Sequence, residues 1–159
     1  MKLLFIVVLL GFFFAGCSST KTVEEKIAEA EAQRESFELN GDSDSLRAGP
    51  LRSVYFELDK HELDPVNQQI LDNNLSFLQS QGVVEIVVEG HADERGPRKY
   101  NVRLAKRRAE WVRNYLINRG VSPSRVSSFS FGAEKPVDFA HTEGAWAKNR
   151  RANFIISKK

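Results

Sequence analysis

The sequence predicts a single-domain α/β sandwich: a mixed β-sheet of about four strands with two main helices on one face. Three observations carry this. Short runs of β-branched and aromatic residues alternate with longer stretches of helical periodicity, in the order strand, helix, strand, helix, strand, strand. Gly and Pro sit at the junctions, where they punctuate elements. The patterned part, residues 51–159, has enough chain for one core.

Before it come two segments of a different kind. Met1-Lys2 is a positive start, and Leu3 to Phe14 is an apolar run shorter than the roughly 20 residues of a spanning helix. Small residues Ala15-Gly16 and then Cys17 follow. The run Phe14 to Cys17 (FAGC) resembles a bacterial lipobox, with Phe14 where Leu is usual. The resemblance implies a signal peptide over 1–16 and lipidation of Cys17, where several acyl chains would anchor firmly. Ser18 in place of Asp implies sorting to the outer membrane. Residues 17–50 are read as a lipidated N-terminus and flexible polar tether, with a possible transient helix over 22–37 and turn signals from Asn40 to Pro50.

Within the domain, Val54-Tyr55-Phe56 with Leu58 reads as a strand. Asp64-Pro65 reads as a helix start, Asp64 capping and Pro65 in the first turn, with the helix ending at Gly82. Val83 to Val88 is a buried strand that Gly90 is expected to end. Asn101 to Asn118 is a helix with Ala105, Ala109, Val112 and Leu116 on one apolar face. Val126 to Phe131 is a third strand. Gly132 to Asn149 is expected to be a long irregular connection, and Arg151 to Ser157 a last strand.

The loop between the second strand and second helix holds Asp93, Glu94, Gly96 and Pro97, a bend of the kind that displays binding groups. It offers an acid, Asp93; the first turns of the helix are expected to offer a base, Arg108. Both are expected on a rim, outside the core. Read blandly, Asp93 stabilises a turn, and Arg108 belongs to a solvated run with Lys106 and Arg107. Tyr100 reads as packing, and Arg150-Arg151 as structural.

VYFELDK (Val54 to Lys60), VEGHADERG (Val88 to Gly96), YNVRLAKRRAEWVRNYL (Tyr100 to Leu116), FGAEKP (Phe131 to Pro136) and WAKNRRANF (Trp146 to Phe154) together resemble the OmpA-like C-terminal domain family. Members bind the peptide stem of peptidoglycan non-covalently through meso-diaminopimelate, whose free head carries an ammonium and a carboxylate. The resemblance implies that Asp93 takes the ammonium and Arg108 the carboxylate, for which a guanidinium fork is suited. It implies a supporting role for Asn101, a pocket position for Asp59, and lining positions for Leu104 and Arg95. It also implies partners: the outer membrane through Cys17, and the Tol envelope system with its periplasmic β-propeller protein.

Other function classes are weaker. Residues 51–159 carry 18 basic and 13 acidic groups, and residues 17–50 four basic and eight acidic ones. A basic domain suits an anionic or zwitterionic partner. Nucleic acid is disfavoured by export and sparse aromatic interleaving. His91 and Asp93 could suggest a metal, but His61 and His141 lack ligand-like spacing to them. Glu89, Asp93 and Glu94 could suggest glycan cleavage, yet no nucleophile or phosphate motif accompanies them. The reading is a binding protein without cofactor or metal, not an enzyme, facing the periplasm of a Gram-negative cell.

Overall fold

The computed structural model describes residues 42–44 and 50–158. The expectations for residues 1–16, for Cys17 and for most of 17–50 lie outside the described residues. The elements are β1 (Val54–Tyr55), α1 (Pro65–Ser80), β2 (Glu85–His91), α2 (Arg98–Asn118), a 3-10 turn (Pro123–Arg125), β3 (Val126–Gly132), α3 (Glu143–Asn149) and β4 (Arg151–Lys158). The sheet order is β1-β4-β2-β3. β2 is parallel to β3 and antiparallel to β4, and β1 is antiparallel to β4. The mixed four-stranded sheet expected from the sequence is therefore present, with a third, short helix added.

The core explains the arrangement. Ile86 and Val88 alternate as fully buried residues along β2, as a strand with one covered face requires. They pack with Leu71 and Leu78 of α1, Val112 and Leu116 of α2, and Phe154 of β4 in one cluster. At the start of α1, Asp64 Oδ1 accepts from the Asn67 backbone N–H at 2.8 Å and Pro65 opens the helix.

Four local expectations are corrected. β2 does not stop at Gly90; it continues to His91. Gly90 is there because α2 lies against it: a Cβ would fall 1.9 Å from the Ala105 carbonyl oxygen. α2 begins at Arg98, because the Pro97 carbonyl already accepts from the N–H groups of Tyr100 and Asn101. The connection after β3 is not wholly irregular. It contains α3, capped by Thr142 Oγ1 accepting from Ala145 N–H at 3.3 Å, and seven residues are too few for periodicity to show. Finally, residues 42–44, read as tether, are attached to the domain. Asp42 bridges Ile155, Ser43 N–H donates to the Phe154 carbonyl at 3.0 Å, and Asp44 Oδ2 meets Arg151 Nε at 2.6 Å. A polar composition predicts solvent exposure, but hydrogen bonds and a buried arginine hold this segment against β4.

Candidate functional site

The carboxyl end of β2 delivers the site. The Ala92 N–H donates to the Gly132 carbonyl at 2.8 Å, which keeps the chain beside β3 before it turns away. Gly96 takes φ +89°, a value that favours glycine, and lets the loop swing back into α2. Asn101 fixes the loop from beneath: its Nδ2 donates to the carbonyls of Asp93 (3.1 Å) and Arg95 (3.0 Å). A cavity of about 520 Å³ opens here, and Asp59, Asp93, Arg95, Asn101, Leu104 and Arg108 all line it. The structure thus brings the six candidate side chains together. It adds Arg150, Tyr100 and Leu58, which the sequence reading assigned to structure, packing and the first strand.

Asp93 is buried, with only 5% of its surface exposed. Its Oδ1 accepts from the backbone N–H (3.1 Å) and Nε (3.2 Å) of Arg95; its Oδ2 accepts from Arg95 Nη2 (2.8 Å) and Arg150 Nη1 (3.3 Å). Burial pulls this carboxyl upward, but the bonds from Arg95 and Arg150 outweigh it and hold Asp93 below the usual carboxylate range. The acid is charged at neutral pH.

Arg108 departs most from expectation. It lies in the middle of α2, not its first turns, and is buried at the wall of the cavity instead of standing on an exposed rim. Its Nε donates to the Lys60 carbonyl (2.8 Å), Nη1 to that of His91 (2.9 Å) and Nη2 to that of Glu57 (3.1 Å). Burial and the neighbouring Arg150 push its pKa down to about 10, which leaves it protonated. The helical spacing that buries Ala105, Ala109 and Val112 places Arg108 on the same inner side. A charged residue is accepted there because three carbonyls satisfy it. Through these bonds Arg108 bolts α2 to the 57–60 turn. That turn carries Asp59 at φ +61°, a strained conformation for a non-glycine residue, at the cavity edge.

Arg150 completes the network. Its Nε donates to the Phe56 carbonyl at 3.0 Å and its Nη1 also reaches Glu143 Oε1 at 2.9 Å. No local pattern marks it: Arg150 caps the end of α3 just before β4, and only the fold brings it to Asp93. Arg107, one residue from Arg108, is exposed.

Residues 55–150 match the OmpA family. This chain belongs to that family. The OmpA-family domain is 44% identical over 110 residues to a peptidoglycan-associated lipoprotein of Pseudomonas aeruginosa, a match covering 69% of this chain and 64% of that one. A peptidoglycan-associated lipoprotein of Brucella melitensis is 32% identical over 152 residues, covering 96% of this chain and 90% of its own. The crystal structure of the peptidoglycan-associated lipoprotein from Burkholderia pseudomallei superimposes with a TM-score of 0.64 at 38% identity, covering 67% of this chain and 92% of that chain. The chain thus spans a little under two thirds of the length of the Pseudomonas relative and nearly all of the Brucella one. Among the described residues of this OmpA-family chain, no three His, Cys, Asp or Glu side chains gather as a metal site would require.

Proposed function

We propose that this chain is a lipid-anchored envelope protein that holds peptidoglycan non-covalently, by the diaminopimelate head of the stem peptide. The relatives' shared name, peptidoglycan-associated lipoprotein, supports the coarse reading. The observation that carries the finer one is a buried carboxylate and two buried guanidinium groups around one cavity. Such a lining matches a head with an ammonium and a carboxylate on one carbon.

Asp93 is assigned the ammonium. Arg108 is assigned the carboxylate: of its five N–H bonds three go to carbonyls, leaving one on each terminal nitrogen, the pair a bidentate contact uses. Arg150 stands beside it as a second cation. Asp59, Asn101 and Leu104 shape the pocket, and Arg95 closes one side. Cys17 carries the lipid that fixes the protein in the outer membrane, and the domain works with the Tol system through its β-propeller protein.

Purified sacculi supply the test. A fragment from residue 42 should co-sediment with them, and a diaminopimelate-containing stem peptide should release it. Sedimentation that the peptide does not compete would refute the assignment of the ligand. Release of soluble wall fragments on incubation would make the protein an enzyme instead.

A further inference from the structure

An ionised carboxylate offers about four lone-pair positions. In Asp93 all four are taken from within the chain: two by the backbone N–H and Nε of Arg95 on Oδ1, and two by Arg95 Nη2 and Arg150 Nη1 on Oδ2. An arriving ammonium therefore finds no free acceptor on the acid assigned to it. One of these donors must give way, and they differ in how firmly they are held. The backbone N–H is part of a loop that Asn101 ties down. Arg150 is 6% exposed and is pinned to the Phe56 carbonyl. The Arg95 side chain is 32% exposed and reaches Asp93 from the solvent side.

Arg95 also has somewhere to go. Its Nη1 bonds Glu143 Oε2 at 3.1 Å, and its guanidinium lies 4.1 Å from the Trp146 ring centroid. Both partners belong to α3, outside the Asp93 loop. A guanidinium leaving Asp93 keeps an anion and an aromatic face, so its charge stays compensated.

We propose that Arg95 is a displaceable internal counter-ion of Asp93, which a ligand ammonium must evict toward the Glu143–Trp146 shelf. Arg95 thereby sets the affinity of the site by competing with the ligand, rather than adding to its contacts. The inference rests on the reading that Asp93 receives an ammonium. In the empty site the latch keeps a buried carboxylate paired, avoiding the cost of an isolated charge. It also lowers apparent affinity by the fraction of molecules in which the acid is open.

Calorimetric titration of the full-length chain in detergent, with a stem peptide ending in meso-diaminopimelate, tests this. Arg95→Gln should bind about fivefold more tightly than wild type, the scale of one exposed ion pair. Arg95→Lys keeps the charge but loses the fork, and should fall between the two. Asp93→Ala should bind about thirtyfold or more weakly than wild type, at the edge of detection. Equal or weaker binding by Arg95→Gln, with Asp93→Ala weakened in this way, overturns the latch and leaves the ligand assignment standing. Tighter binding by Arg95→Gln with Arg95→Lys at the wild-type value would reduce the effect to net charge and also overturn the latch. Wild-type binding by Asp93→Ala would remove the assignment itself, and the latch with it.

Discussion

Two carboxylates in this domain are gripped by neighbouring arginines, and they serve opposite ends. Arg150 and Arg151 are consecutive, the first capping α3 and the second opening β4. Arg150 reaches Asp93 at 3.3 Å beside a cavity, whereas Arg151 reaches Asp44 at 2.6 Å on the segment ahead of β1. The Asp44 pair is closed: Arg151 is 3% exposed, Ser53 donates a second bond at 2.6 Å, and Arg151 also donates to the Lys135 carbonyl at 3.3 Å. The Asp93 pair is open on one side, where a partly exposed arginine completes its coordination. The same ion-pair chemistry makes a rivet where every partner is buried, and a candidate receptor where one partner can leave. Access distinguishes the two sites, since charge and residue type are shared.

The largest effect should come from Arg108, which serves both cavity and fold. Arg108→Ala takes the guanidinium away from three inward carbonyls, of which that of Glu57 keeps a second donor, the Lys60 N–H, and urea unfolding should show a loss of about 4 kcal/mol. Peptide binding should vanish along with the ordered 57–60 turn. An unchanged unfolding midpoint would show that the three carbonyls find water. Next is Asp93→Ala, expected to cost about 2–5 kcal/mol of stem-peptide affinity, thirtyfold or more, because a ligand charge is left desolvated and unpaired. Circular dichroism should stay native, and binding within threefold of wild type would place the ligand elsewhere.

The Asp44 side should behave in the reverse way. Asp44→Ala leaves a buried Arg151 without its carboxylate and should lower stability by about 2 kcal/mol, with peptide affinity unchanged. A truncation that removes residues 17–48 takes Asp44 with it and should show the same loss. Any change in affinity on either route would erase the contrast between the two carboxylates.

Acid sharpens the comparison further. His91 is buried on the Arg151 side, stacked 5.6 Å from Phe131, with Glu89 Oε2 3.7 Å from Nε2 and Lys135 over the Phe131 ring. Neither ring nitrogen has a hydrogen-bond partner. Burial, with Arg151 and Lys135 adding to it, lowers its pKa from 6.5 to about 3. The folded state refuses a proton that the unfolded state takes, so stability is complete above pH 6.5 and falls as pH drops toward 3. The limiting slope is about 1.4 kcal/mol per pH unit. His91→Phe keeps a ring on Phe131 and should flatten this window. Asp93 has a lowered pKa as a carboxylate, so its contribution is lost only in more acid solution, as pH falls through its folded value. The smallest effect is Arg107→Ala, expected within about 0.5 kcal/mol in stability and affinity, since its side chain faces solvent.

Local pattern alone determined most of the architecture. The alternation of apolar runs, the Asp64-Pro65 start and the periodicity of Ala105, Ala109, Val112 and Leu116 are short-range signals, and each element they mark is present. The family resemblance of the quoted segments also named six of the residues that line the cavity. What required the tertiary structure is long-range or depends on burial. Arg150 reaches Asp93 across 57 positions, Trp146 comes under Arg95 from α3, and Asp44 docks on a strand over 100 residues away. Helical period puts Arg108 on the inner side of α2, but a guanidinium is accepted there only where carbonyls converge on it, and those carbonyls come from two separate parts of the chain, the 57–60 turn and the end of β2. Composition likewise marks residues 42–44 as polar, but whether a polar residue is solvated or riveted depends on what the fold sets opposite it.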